Sequence, residues 1–190
     1  MELRGKKILV IGGGGLIGSH VVEALLETEV AKVTIYDNFC RGSIENLQKA
    51  LRDPRCEIFP LGGDVLHTDI LDKAVAEADG VVHLAALWLL HCHEFPQSAF
   101  EVNIRGTFNV LEACRKHGVQ KLVYSSSASV YGDAVEQPMT EAHPYNNWTF
   151  YGATKIAGEH MLKAYHNRYG LKVIGLRYMS VYGPSQDYRS

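Results

Sequence analysis

The stretch Ile8-Leu9-Val10-Ile11-Gly12-Gly13-Gly14-Gly15-Leu16-Ile17-Gly18-Ser19-His20 decides the fold. Four apolar residues in a row read as a buried strand. Glycines then fall at 12, 15 and 18, the spacing G-x-x-G-x-x-G. An amphipathic segment follows, with Ile17, Val21, Val22, Leu25 and Leu26 at helical spacing. Strand, tight turn and helix start, in that order, build a site where backbone N–H groups and a helix dipole hold a pyrophosphate. Gly12 would allow the turn, Gly15 the approach of a phosphate, and Gly18 the packing of helix on strand. A ligand-free glycine loop has the same composition, so the residues downstream must decide.

Lys32 to Tyr36 is a second strand, rich in β-branched residues, and it ends at Asp37, 19 positions after Gly18. A carboxylate at that distance accepts hydrogen bonds from both hydroxyls of an adenosine ribose and repels a 2′-phosphate. It therefore favours NAD over NADP. Arg41 and Gly42 follow and join the cofactor-binding candidates, although an arginine there could tolerate a 2′-phosphate. Ser43 to Leu51 predicts a helix with Ser43 as its N-cap. Cys56 to Pro60 predicts a short strand, followed by Gly62-Gly63-Asp64-Val65, where Asp64 could reach an adenine amino group. Thr68 to Ala78 predicts helix and Gly80 to Leu84 strand. Ala85-Ala86 then puts small residues at a strand end, where bulk would block a cofactor. Trp88 to Pro96 is less regular. Phe100 to His117 predicts a long helix closed by Gly118, and Lys121 to Ser125 a fifth strand. A polar loop occupies 132–149, Phe150 to Tyr169 predicts a helix ended by Gly170, and Leu171 to Leu176 a sixth strand. Strands alternating with helices call for an α/β, doubly wound parallel sheet of Rossmann type, with helices on both faces, over a single domain 1–190.

Composition excludes several classes of function. The 190 residues carry 19 basic and 21 acidic side chains, a formal net charge of −2, which offers no general attraction to nucleic acid or an anionic membrane. No apolar run approaches the roughly 20 residues of a membrane span. The N-terminus runs into the first strand without a signal-peptide core. Cys40, Cys56, Cys92 and Cys114 are scattered and form no C-x-x-C pair, which fits reduced thiols in a cytoplasmic protein. His91-Cys92-His93 alternates in an irregular segment without further ligands, so no metal is expected.

A second constellation lies far downstream. Tyr151-Gly152-Ala153-Thr154-Lys155 places a tyrosine and a lysine at i and i+4 on one helix face. An ammonium beside a phenol stabilises phenolate, lowers the tyrosine pKa and makes Tyr151 a usable general base. The serines ending the fifth strand lie at the same sheet edge, and Ser127 is best placed to bind the same substrate oxygen.

With these residues in hand, the chain resembles the extended short-chain dehydrogenase/reductase family, in its NAD-dependent nucleotide-sugar epimerase/dehydratase branch. The matching stretches run from Gly12 to Pro184. They include the glycine motif, Asp37-Asn38-Phe39, Gly63-Asp64-Val65, His83-Leu84-Ala85-Ala86, Asn103 to Asn109, Ser125 to Gly132, Tyr151-x-x-x-Lys155 and Arg177-Tyr178 to Pro184. The resemblance implies that Gly12, Gly15, Leu16, Ile17 and Gly18 hold pyrophosphate. Asp37 and Asn38 would bind the adenosine ribose, and Asp64 and Val65 the adenine. Leu84, Ala85, Ala86 and Asn103 would border the cofactor, and Ser125 and Met179 would sit by the nicotinamide. Lys155 would hold the nicotinamide ribose, while Ser127 and Tyr151 flank the reacting hydroxyl. Dehydratases of this kind resemble Thr-Asp-Glu where this chain has Ser127-Ala128-Ser129, so no local acid serves elimination. The resemblance therefore implies a 4-epimerase acting on a nucleotide sugar, and a homodimer paired through helices matching Phe100–His117 and Phe150–Tyr169. The chain departs from the family at Trp88, Phe150 and Ser180. The family also continues past Pro184 into a C-terminal substrate-binding region, of which this chain would lack most.

Overall fold

The computed structural model describes residues 1–184 and 186. Six strands form one parallel sheet: β1 Lys7–Ile11, β2 Lys32–Tyr36, β3 Cys56–Ile58, β4 Gly80–His83, β5 Lys121–Ser127 and β6 Val173–Tyr178. Their order is β3-β2-β1-β4-β5-β6. The chain starts in the middle, winds out to β3, crosses back beside β1 and winds out the other way. A crevice opens at the carboxyl ends of β1 and β4, where the winding reverses.

The apolar run of β1 is buried on both faces, as a central parallel strand must be. Leu9 and Ile11 point to one side. There they meet Leu71 and Val75 of α2 (Thr68–Ala76), Val110 and Leu111 of α5 (Gly106–Lys116), and Leu162 of α6 (Phe150–Tyr169). Ile8 and Val10 point to the other side and pack with Val33, Ile35, Leu47 and Val22 of α1 (Leu16–Leu26).

Several boundaries differ from the sequence expectation, each for a visible reason. The helix expected over Ser43–Leu51 is two 3-10 turns, Ile44–Leu47 and Ala50–Arg52. Ser43 does cap the first, its Oγ accepting from Glu45 N at 3.2 Å. The segment is tied to the glycine loop instead of coiling freely: Ser43 N and Asn46 Nδ2 both donate to Gly14 O, at 3.0 and 2.9 Å. The irregular stretch after Trp88 holds two short helices, α3 (Leu89–Glu94) and α4 (Pro96–Ala99). The long helix expected from Phe100 begins as a π-helical turn, Phe100–Arg105, and becomes α5 only at Gly106. From the first turn of α5, Thr107 Oγ1 donates back to Asn103 O in the π-helical turn at 2.7 Å. β5 runs on to Ser127 because β6 stays in register to the Ser127↔Tyr178 pair.

The 132–149 loop is fastened at both ends. His143 is buried; its Nε2 accepts from Val135 N at 3.0 Å, so Nδ1 carries the proton and donates to Pro144 O at 2.8 Å. Glu159 of α6 receives Arg177 through Nε at 2.9 Å and Nη2 at 2.8 Å, Ser126 Oγ at 2.5 Å and Tyr145 OH at 2.7 Å. Arg177 also donates to Glu141 O at 2.9 Å. One ion pair thus joins β5, β6, α6 and the loop.

Burial pushes the Glu159 carboxyl up, but hydrogen bonds from Arg177, Ser126 and Tyr145 outweigh it and hold the group below its ordinary 4.5. A carboxyl held below its unfolded value stabilises the fold above that value and loses the contribution as pH falls through the folded one. Urea unfolding of Glu159→Gln should therefore show a loss of about 3 kcal/mol at neutral pH, because Arg177 is left half-buried without its partner. Below about pH 4.5 the variant's stability should fall less steeply than that of the unaltered chain. Equal neutral-pH stabilities would overturn the assignment.

Candidate active site

The glycine loop is built around close backbone contacts. Gly12 has φ +84°, and a Cβ there would lie 2.7 Å from Ala85 N. A Cβ at Gly18 would lie 2.1 Å from Gly12 O, which seats α1 directly on the turn. Gly15 differs: a Cβ there would meet only Gly12 O, at an ordinary 3.6 Å. The chain's own packing does not demand glycine at 15, so the space above it is left for something else. No side chain caps α1, leaving the first N–H groups of the helix to a ligand.

Asp37 is held at the end of β2. Its Oδ2 accepts from Gly14 N and its Oδ1 from Phe39 N, both at 2.8 Å. Burial nonetheless raises its pKa above the ordinary value, against the pull of those two N–H groups. Asp64 is partly a turn residue. Its Oδ1 accepts from Leu66 N at 2.9 Å, and its backbone carbonyl accepts from Tyr36 OH at 2.7 Å.

A cleft of about 910 Å³ runs along the crevice, near the upper end of the roughly 300–1,000 Å³ typical of ligand sites. Gly12, Gly15, Leu16, Ile17, Gly18, Asp37, Asn38, Arg41, Gly42, Asp64, Val65, Leu84, Ala85, Ala86 and Ser125, all named from the sequence as cofactor-binding candidates, line it. The cleft also takes in residues the sequence reading missed: Tyr36, Cys40, Ser43, Asn46, Gly63, Leu87, Val102, Val181 and Gln186. Leu87 could have been found as the neighbour of Ala85-Ala86. Asn46 carried no local signal, since its tie to Gly14 is tertiary.

Four expected cofactor residues do not line the cleft: Asn103, Tyr151, Lys155 and Met179. Met179 is exposed on the segment after β6. Asn103 is buried behind the wall, where Oδ1 accepts from Leu87 N at 2.7 Å and Nδ2 reaches Leu87 O at 3.0 Å and Thr154 Oγ1 at 3.1 Å. Its amide is spent on holding the loop after β4, so it shapes the cleft instead of bordering it.

Ser127, Tyr151 and Lys155 come together beyond Ser125, at the opposite end from Asp37. Lys155 is buried and its Nζ donates to Ser125 O at 2.7 Å; burial brings its pKa down to about 8. The ammonium sits 5.5 Å from the Tyr151 ring centroid. Ser127 Oγ accepts from Ser129 N at 3.2 Å and from Ser129 Oγ at 2.9 Å. With both acceptor positions used, its own O–H is left to donate, and Ser127 favours the ionised form of the neighbouring Tyr151.

The expected lowering of the Tyr151 pKa is not present in this state. Burial raises it, against the Ser127 hydrogen bond and the positive charge of Arg41. Lys155 is committed to the Ser125 carbonyl and does not offset the burial. His83 is a structural histidine. Burial lowers its pKa to about 3, Nε2 bonds Thr107 Oγ1 at 3.1 Å, and Nδ1 has no partner among the described residues. His91 stacks between Trp88 and Phe95, with ring centroids 5.0 Å from each. No helix among the described residues is long and apolar enough to cross a membrane.

Comparison with known proteins bears on this geometry. The sequence profile of the NAD dependent epimerase/dehydratase family matches residues 8–190. The UDP-glucose 4-epimerase of Corynebacterium glutamicum is 37% identical over 180 residues, covering 93% of this chain and 52% of that protein. The UDP-N-acetylglucosamine 4-epimerase of Methanobrevibacter ruminantium, solved with UDP-N-acetylmuramic acid, superposes with a TM-score of 0.91 at 36% identity. That match covers 98% of this chain and 59% of the other. The UDP-glucose 4-epimerase of Thermus thermophilus, solved with NAD, gives 0.86 at 39% identity, over 95% of this chain and 57% of the other. The chain thus spans little more than half the length of the relatives it matches. With the profile matched over nearly its whole length and the doubly wound sheet beneath it, this chain belongs to the NAD dependent epimerase/dehydratase family.

Proposed function

We propose that the chain binds NAD and carries the catalytic residues of a nucleotide-sugar 4-epimerase, which oxidises and re-reduces C4 of a nucleotide-linked hexose. The observation that carries this reading is the grouping of Ser127, Tyr151 and Lys155 behind Ser125, which lines the cleft and accepts from Lys155 Nζ, while Asp37 and Asp64 line the same cleft beside β2 and β3. Asp37 and Asp64 would hold the adenosine of a bound dinucleotide, and Tyr151 would work beside the end that supplies the redox chemistry. The uncapped start of α1 and the open space over Gly15 suit its pyrophosphate.

The chain's own groups then divide the work. Tyr151 takes the proton of the sugar 4-hydroxyl, holds it while C4 is a ketone, and returns it when the hydride comes back to the other face. Ser127, with its acceptor positions used by Ser129, donates to the same oxygen and fixes its distance from Tyr151. Lys155 keeps a positive charge beneath the phenol and braces the end of β5 through Ser125 O. When bound, NAD supplies the hydride acceptor and a positive ring that offsets the burial of Tyr151.

Elimination is disfavoured here. Residues 127–129 supply no acid, and Glu159 is bound by Arg177, Ser126 and Tyr145. Related solved epimerases hold UDP-sugars or NAD, so UDP-glucose and UDP-N-acetylglucosamine are the first substrates to try.

We also infer a cytoplasmic homodimer. Phe108 of α5 and Tyr169 of α6 flank Tyr165, with ring centroids 6.3 and 5.4 Å away, and both stay about half-exposed. A matching face on a second copy would cover them.

Incubation with NAD and UDP-sugars should give the C4 epimer without accumulation of NADH. Steady NADH formation would mean a net dehydrogenase. Tyr151→Phe should bind NAD with unchanged affinity in calorimetry while turnover falls about 10²–10⁴-fold; undiminished turnover would sink the catalytic assignment. Light scattering should report a dimer for the unaltered chain and a monomer for Phe108→Glu, and a monomer in both would count against the dimer.

A further inference from the structure

We propose that Arg41 and Trp88 form a clasp that closes over the pyrophosphate of a bound dinucleotide and slows its release. The guanidinium carbon of Arg41 lies 3.8 Å from the centroid of the Trp88 ring, well inside the range of a cation–π stack. The strand order gives this contact its meaning. Arg41 stands on the loop after β2, Trp88 on the loop after β4, and β1 runs between those strands. Adjacent strands are about 4.8 Å apart, so the two loops leave the sheet about 10 Å apart. The stack therefore spans the glycine loop that follows β1. It crosses the line from Asp37 to Tyr151 along which a dinucleotide would lie.

Both ends of the span are anchored. The loop bearing Arg41 rests on the glycine loop: a Cβ at Gly42 would lie 2.6 Å from the carbonyl carbon of Gly14, and Ser43 N donates to Gly14 O at 3.0 Å. On the other side, Asn103 grips both backbone polar groups of Leu87 at 2.7 and 3.0 Å, and Trp88 O starts α3 by accepting from Cys92 N at 2.9 Å. The electrostatics agree. Among the described residues lining the cleft, Arg41 is the only basic side chain, and Asp37 and Asp64 are its acids. A pyrophosphate entering between two carboxylates meets its one opposite charge at the crossing. The positive charge of Arg41 is also felt at Tyr151, so the side chain reaches toward the reacting end. Trp88 Nε1 is shielded and has no partner among the described residues.

The inference rests on the reading of the cleft as an NAD site. NAD is titrated into the unaltered chain and into Arg41→Ala, Arg41→Lys and Trp88→Leu by calorimetry, with release followed by stopped-flow displacement. Release is read from the fluorescence of an etheno-adenine NAD, which reports alike on every variant, Trp88→Leu included. Circular dichroism melts confirm that each variant is folded. The expected result is affinity about tenfold weaker for Arg41→Ala, appearing almost wholly as faster release, since loss of a charge-assisted contact acts on the off-rate. Trp88→Leu should release NAD several-fold faster, and the double variant should add little to Arg41→Ala, because the two residues act as one bridge. Arg41→Lys keeps the charge without the flat stack and should fall between. Release unchanged in Arg41→Ala and Trp88→Leu would overturn the clasp while leaving the cofactor reading intact. Tighter binding in either would show the stack to be a plug, and Arg41→Lys equal to the unaltered chain would reduce it to charge alone. Failure of the unaltered chain to bind NAD would instead overturn the cofactor reading itself.

Discussion

The backbone of Gly18 lies so close to the carbonyl of Gly12 that even a methyl group would come within 2.1 Å. Much of the site depends on that contact. It seats the start of α1 on the end of β1, so the N–H groups of the first helical turn face the crevice. The neighbouring glycines extend the arrangement in both directions. Gly12 packs against Ala85 N, which joins the turn to the loop after β4. Gly14 gives its N–H to Asp37 and its carbonyl to Ser43 and Asn46, which join it to the loop after β2. A single turn thereby sets the relative positions of three loops. The cleft is the space they leave.

Its two ends obey different electrostatics. At the β2 end, Asp37 is buried but receives two N–H groups, so its charge is met by the backbone itself. At the β5 end, a fully buried lysine rests on one carbonyl, and its pKa is brought down to about 8. Burying an ammonium against a single neutral acceptor costs stability. That cost has no structural return that a neutral side chain could not give. Kept in a protein, such a charge is best explained by what it does to a neighbour, and the neighbour is Tyr151. Glu159 and Arg177 are the contrast. Their charges neutralise each other, and their product is rigidity where β5, β6 and the 132–149 loop meet.

Features that depend on local chemistry were legible in the sequence. The bounds of α6 match expectation at both ends, because Thr149 caps it through Gly152 N and Gly170 closes it in the left-handed region. The strand–glycine–helix unit and Asp37 were legible for the same reason: each is a short-range pattern with one physical solution. Features set by distant partners were not. The Ser43–Leu51 segment has helical composition, yet two bonds to Gly14 make it 3-10 turns. Asn103 reads as a cofactor residue until Leu87 and Thr154 are seen to use up its amide. Arg41 reads as one more residue of the cofactor loop, and its contact with Trp88, 47 positions later, carries no local signal. Tyr151 was misread in a more instructive way. The i, i+4 spacing to Lys155 was right, but spacing does not reveal that the ammonium is already spent on Ser125 O.

The raised pKa of Tyr151 follows from that commitment and bears on how the site works. A phenol that titrated near neutrality without ligand would be a base in an empty cleft. Here burial keeps it protonated, and two groups oppose burial: Ser127 and the positive charge of Arg41. Neither alone outweighs the loss of water. Each is nonetheless placed to add to a positive charge arriving at the same spot.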